Sequence, residues 1–152
     1  MAHDHRLEDR SEITEQMFRY ARATDWLQTE GHRDVFAAEC VFASPHSGDI
    51  HGVDAVVDWM NIALARFEAT QHLIGNISIT FTGDMTADAV SYVRAWHRHR
   101  DHERPDMVLW GEYHDRWASL DGRWRIVERR VLEAGIEPRR DGGAKNPRRA
   151  GG

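Results

Sequence analysis

Residues 53–82 read VDAVVDWMNIALARFEATQHLIGNISITFT. In the first half the apolar residues recur at helical spacing. Val56, Trp59, Met60, Ala63, Leu64 and Phe67 share one stripe of a helix over 53–67. Past Phe67 the period drops from 3.6 to 2, and side chains alternate between two faces. This switch divides the chain into a helical part before it and a strand-rich part after it.

Downstream, four strand-like stretches cover 71–82, 87–98, 107–120 and 123–133. Gly83-Asp84 and Asp121-Gly122 are turn signals between them, the second a two-residue hairpin turn. Residues 99–106 form a charged loop. Upstream, 7–28 contains no Gly or Pro and carries Ile13, Met17, Tyr20, Thr24 and Leu27 on one stripe. Ser11 could cap this helix, and Gly31 ends it. A short second helix is predicted over 33–38, with Val35 and Phe36 turned inward, then a short strand over 40–43 and a turn cluster over 44–49.

Helices followed by long antiparallel strands predict an α+β fold. Strands of ten or more residues must twist and curl in a domain this small. A curled sheet closed on one side by helices is a cone with a pocket. The domain is placed at 7–135. Residues 136–152, rich in Gly, Pro and Arg, read as a disordered tail.

The 152 residues suffice for one domain with a full core, and 41% hydrophobic with 30% charged residues is globular composition. Twenty Lys and Arg against 25 Asp and Glu leave a net charge of -5, which argues against a nucleic-acid partner. No apolar run could span a membrane, and the charged, His-rich start lacks the apolar core of a secretory signal. With Cys40 as the one cysteine, an intrachain disulfide and a Cys-based zinc cluster are excluded, so a cytoplasmic location is expected.

Several segments together carry a family resemblance. They are RYARATD at 19–25, GVDA at 52–55, TQHLIGN at 70–76, GEYHDRW at 111–117 and DGRWRIVERR at 121–130. In this order and spacing they resemble the SnoaL-like branch of the NTF2-like superfamily. Within it, an Asp on the first helix and a His on the strand after the third resemble the scytalone dehydratase, bile-acid 7α-dehydratase and hexachlorocyclohexane dehydrochlorinase group. The resemblance implies an NTF2-like cone and a His–Asp pair that takes a proton from an apolar substrate. It implies no metal or organic cofactor, and a homo-oligomer, dimer or trimer.

On this reading Asp25 and His72 are the catalytic candidates. By the helical wheel Asp25 shares the flank of Phe18 and Ala21, near the negative end of the helix macrodipole. It therefore needs a cationic or hydrogen-bonding partner there, unless it is simply a solvated helix-end residue. His72 could be that partner. A carboxylate would fix its tautomer and stabilise the imidazolium, making it a general base. Tyr20 is either a core aromatic or a hydroxyl presented to substrate.

In the last strand, alternation puts Trp124, Ile126, Glu128 and Arg130 on one face and Val127, Arg129 and Val131 on the other. The family resemblance turns the Arg129 face inward. Arg129 could there bind a carboxylate or oxyanion, or hold Asp25; otherwise it is paired on a solvated face. Tyr113 matches an inward position, with Gly111 beside it leaving space for substrate. Val93, Ala95 and His97 share a face, making His97 a second acid/base candidate. The relatives often carry an acidic residue along this strand, where the present chain has Ala95 and His97. Phe42 and Trp59 are expected in the pocket wall. Trp96 and Trp124 are expected on the convex face, where exposed apolar area favours self-association.

The stretch 97–103 contains H-x-H-x₃-E, half of a cupin-like metal motif. Neither the preceding glycine nor a second half with a later His is present, so a solvated charged strand end is the simpler reading.

The function expected is thus a cofactor-independent lyase that eliminates water from an apolar, polycyclic or polyketide-like small molecule. A polyketide cyclase or double-bond isomerase would use the same parts. A non-catalytic binding or assembly module would share only the cone.

Overall fold

The computed structural model describes residues 6–138. In chain order it has α1 (Leu7–Asp25), a 3-10 turn (Thr29–Gly31), α2 (His32–Val35), β1 (Phe36–Ser44), β2 (Gly48–His51) and α3 (Val53–Leu64). There follow β3 (Phe67–Phe81), β4 (Thr86–His99), β5 (Met107–Leu120) and β6 (Arg123–Glu137). The six strands make one open sheet in the order β2-β1-β6-β5-β4-β3. Only the β1–β6 pair is parallel. The helices cover one face, giving the α+β NTF2-like fold. No helix among the described residues is long and apolar enough to cross a membrane.

Helix α1 buries Ile13, Met17, Tyr20 and Thr24, the predicted stripe. It stops at Asp25, before the predicted end. Leu27 takes φ 56°, its N–H donates to the Thr24 carbonyl, and the Gln28 N–H donates to the Ala23 carbonyl. These are the two bonds of a Schellman stop, made here with Leu at the left-handed position instead of Gly. Leu27 therefore leaves the stripe and is 40% exposed. Asp25 becomes the last helical residue, at the sheet edge next to β3.

Helix α2 is shorter than predicted, because Phe36 already pairs with Ile126 at the start of β1. Helix α3 ends at Leu64. Phe67, predicted as its last stripe residue, instead opens β3 and remains buried. The turn cluster after Ser44 forms, held by Ser44–Ser47 side-chain bonds, and leads into β2, which no sequence signal marked. At the hairpin turn Asp121 and Gly122 have φ 52° and 73°, the pair of positive values a type I′ turn requires.

Strands β4 and β5 alternate without interruption. Ala87, Ala89, Ser91, Val93, Ala95 and His97 face the helices, opposite Trp117, Asp115, Tyr113, Gly111, Leu109 and Met107. The flanking strands do not alternate strictly. β3 carries an extra residue between Gly75 and Ser78, and β6 one between Ile126 and Glu128 and another between Glu133 and Gly135. Such bulges bend a strand and increase its twist. They curl the sheet around the helices and also reset which side chains face inward.

Three expectations are corrected here. Trp124 is not on the convex face: the β6 bulge leaves Trp124, Ile126 and Arg129 all buried, although strict alternation separates them. Trp124 Nε1 donates to Asp9, its backbone N–H to Glu12, and its carbonyl accepts from the buried Gln16 amide, so α1 is latched onto β6. Gly111 does not make room for substrate: a Cβ there would lie 2.5 Å from the Leu132 carbonyl oxygen, so the glycine admits close approach of β6. The ordered domain extends past 135, since Ile136 and Glu137 pair with Leu109 and Val108. The rest of the predicted tail, 139–152, lies outside the described residues.

Candidate functional site

The Schellman stop places the Asp25 carboxylate against the start of β3. Oδ1 accepts from Thr70 Oγ1 at 2.9 Å and lies 2.7 Å from His72 Nδ1, while Oδ2 accepts the His72 backbone N–H at 2.9 Å. Thr70 and His72 face the same way because they are two residues apart on a strand. The side chains of His72 and Asp25 are 7% and 17% exposed. With Nδ1 engaged by Asp25, Nε2 is the ring nitrogen left to act on a ligand.

His72 lines a cavity of about 220 Å³ between the helices and the curled sheet. Phe42, Trp59, Met60, Leu64, Phe67 and Met107 form most of its apolar wall. The Phe42 and Trp59 rings pack at a tilt of 39° with centroids 5.2 Å apart. Tyr20 and Tyr113 border the cavity together, their rings edge-on at 5.6 Å, and Tyr20 lies edge-on to His72 at 6.5 Å. Burial raises the pKa of both phenols, that of Tyr113 well above the ordinary value, against the opposing pull of Arg129. Both are therefore protonated hydroxyls; Tyr113 is hydrogen-bonded to Tyr20, which leaves the pair one O–H to donate to a ligand oxygen.

His97 also lines the cavity, edge-on to His72 with centroids 5.6 Å apart. Burial, with the charges of His72 and Arg66, pushes its pKa down to about 4, so its imidazole is neutral. Its Nδ1 is buried without a hydrogen-bond partner. His97 and His99 flank the Phe67 ring at 4.6 and 4.9 Å. Among the described residues no three His, Cys, Asp or Glu side chains converge as a metal site. Cys40 is buried, and burial pushes its thiol up to about 11, so it is no nucleophile.

Arg129 is inward-facing but does not line the cavity or reach Asp25. Its Nε and Nη2 donate to the two carboxylate oxygens of Asp115, both at 2.7 Å, and both side chains are wholly buried. Burial alone lowers the guanidinium's pKa; the Asp115 carboxylate more than offsets this and the net direction is upward. The guanidinium carbon sits 4.2 Å from the Tyr20 ring centre and 4.1 Å from that of Tyr113. Arg129 thus supports the two tyrosines from behind.

Tyr20, His72, His97, Tyr113, Phe42 and Trp59 therefore converge on one cavity, with Asp25 behind His72. Thr70 and Asp115 were not singled out from the sequence. Thr70 carried a usable signal, its i, i+2 relation to His72. Asp115 carried none without the β5–β6 register.

The SnoaL-like domain profile matches residues 5–130. No curated protein sequence matches the chain. Among solved structures, a protein from Novosphingobium aromaticivorans provisionally named a scytalone dehydratase is 28% identical. It superposes with a TM-score of 0.86 over 97% of this chain and 98% of that one. A type 2 hexachlorocyclohexane dehydrochlorinase (LinA) is 15% identical, with a TM-score of 0.82 over 90% of this chain and 92% of its own. The type 3 LinA from Novosphingobium barchaimii is 14% identical, with a TM-score of 0.79 over 86% and 90%. At these lower identities the likeness is one of fold. The profile match over most of the chain, on a helix-covered curled sheet with a cavity inside it, makes this protein a member of the SnoaL-like family within the NTF2-like superfamily.

Proposed function

We propose that the protein is a cofactor-independent lyase that eliminates water from an apolar, polycyclic or polyketide-like small molecule. The observation that carries this reading is the 2.7 Å contact between His72 Nδ1 and Asp25 Oδ1 at the wall of a largely apolar cavity. His72 Nε2 removes a proton from a substrate carbon, and the C–H electron pair becomes the new double bond. The neighbouring C–O bond breaks and its electrons leave with the oxygen. The hydrogen-bonded pair Tyr20 and Tyr113 donates an O–H to that oxygen, which takes the proton back from the His72 imidazolium and departs as water. Asp25 holds the imidazole in one tautomer and stabilises the imidazolium. Such a base contributes roughly 10²–10⁴-fold. The 28% identical relative, named a scytalone dehydratase, supports elimination as the reaction class.

The test is a screen of hydroxylated polycyclic compounds for loss of one water by mass and absorbance, run beside His72→Ala. A well-folded His72→Ala protein with undiminished turnover would exclude this mechanism. A second reading is a double-bond isomerase, in which the His72 imidazolium returns the proton at a second carbon while the neutral His97 ring, 5.6 Å away, donates an N–H to the substrate; the placement of His97 favours it. Its mark is a product of unchanged mass. We also read the chain as a homo-oligomer, dimer or trimer, joined through the outer sheet face, where Leu73, Tyr92 and Trp110 are exposed.

A further inference from the structure

The chain carries a net charge of -5, yet the cavity lining has the opposite character. Besides Tyr20 and Tyr113, its titratable members are Arg66, Arg104, His46, His72, His97 and His99, with no Asp or Glu among them. Asp25 stands behind His72, and Glu133 is turned to His46 at 3.0 Å. Neither carboxylate belongs to the lining. Of the acids on the adjoining segments, Glu68 pairs with His102 at 2.9 Å and Asp106 with Arg98 at 3.0 Å, while Asp101 and Glu103 lie in the turn before Arg104, where Asp101 Oδ1 accepts the Glu103 N–H at 3.2 Å. Among the described residues no carboxylate forms an ion pair with Arg66 or Arg104.

Both arginines are exposed and line the cavity, for a structural reason. The Arg100 N–H donates to the Arg66 carbonyl and Arg100 Nε to the Ala65 carbonyl, both at 3.0 Å. This staples the loop after β4 to the segment before β3. A turn closed by the Arg104 N–H on the Asp101 carbonyl then presents Arg104 at the same opening. The Arg66 guanidinium lies 4.8 Å from the centre of the Phe67 ring, which also carries His97 and His99 at its sides. A stacked guanidinium loses less freedom on binding than a free one, and its planar fork matches a carboxylate.

We infer that the mouth of the cavity is a carboxylate subsite formed by Arg66 and Arg104, and that the ligand is an apolar acid whose ring system fills the Phe42–Trp59–Met107 wall. This deepens the proposed elimination by naming the substrate class of the same cavity, and it rests on that reading for the chemistry but not for the binding.

The test compares naphthoate with its uncharged amide, naphthamide, by calorimetric titration of the full-length protein. Naphthoate should bind about tenfold more tightly at low ionic strength, and salt should narrow the gap. In the Arg66→Gln/Arg104→Gln protein the gap should fall to about twofold or less. Both side chains are exposed, so this variant should keep the wild-type circular dichroism spectrum. Equal affinities, binding of neither probe, or a gap that survives in the double variant each overturn the inference. His72→Ala should keep the naphthoate preference, which separates the two proposals. A missing preference beside a His72-dependent elimination removes only the subsite, whereas a preference in a protein without elimination removes only the lyase.

Discussion

Arg129 lies directly across the β5–β6 ladder from Asp115, and two parallel 2.7 Å bonds join them in a place no water reaches. The pair is only in register because β6 carries an extra residue just before it. A buried ion pair adds little net stability compared with apolar residues of the same volume, but removing one partner leaves an uncompensated charge. Asp115→Ala should therefore cost about 3–5 kcal/mol in urea denaturation. Asp115→Leu combined with Arg129→Met should recover most of that loss. A cost below about 1 kcal/mol for Asp115→Ala would show that the pair is not isolated from solvent as described.

Asp25 receives three hydrogen bonds, two of them shared with the residue it orients. Asp25→Asn keeps the shape and removes the charge that stabilises the imidazolium, so kcat should fall by roughly 10²–10⁴. Thr70→Val leaves the charge and removes one bond worth about 1 kcal/mol, so turnover should fall only about fivefold, with KM little changed. Equal losses for the two variants would mean that the carboxylate serves only to hold the fold.

Much of this could be read in the sequence where the physics is local. The switch of period, read past Phe67 and found between Leu64 and Phe67, separates helix from sheet without reference to anything distant. Asp121-Gly122 specifies its own turn, and the uninterrupted alternation of Val93, Ala95 and His97 places them correctly. The parts not legible depend on register and on bulges. One extra residue in β6 turns Trp124 inward together with Arg129, and the partner of Arg129 is fixed only once β5 lies beside it. The end of α1 was missed for a related reason. Its stop uses Leu27 in a conformation that sequence signals associate with glycine, and tertiary packing overrides that preference. Arg66 and Arg104 look like ordinary surface charge in the chain and come to one cavity lining through the bonds of Arg100 to the Ala65 and Arg66 carbonyls.

Gly111 gives a stability test of the bulged ladder. Its place beside the second β6 bulge leaves 2.5 Å between an added Cβ and the Leu132 carbonyl oxygen, a backbone atom that cannot swing aside. Gly111→Ala should therefore destabilise the protein by about 1–3 kcal/mol, by the usual cost of overpacking. Thermal unfolding would read this as a lower midpoint. An unchanged or higher midpoint would mean that β6 does not approach β5 this closely.

Two buried imidazoles set the response to acid. Burial, then the charges of Arg129 and His72, pushes His32 down to about 4, and burial with His72 and Arg66 does the same to His97. In the unfolded chain both take up a proton near the ordinary histidine value of about 6.5. Between these values the unfolded state binds more protons than the fold, so stability falls as pH drops through that window and is level above it. The full effect is on the order of 3 kcal/mol for each imidazole at the acid end. Urea midpoints measured between about pH 7 and 5 should decline steadily, and His97→Gln should make that decline shallower. His97 lies at the cavity wall, and Gln puts there a polar side chain that does not titrate, so the slope with pH and not the absolute midpoint is the readout. Midpoints that stay level across this range in the wild-type protein would mean that both rings are hydrated enough to charge within the fold.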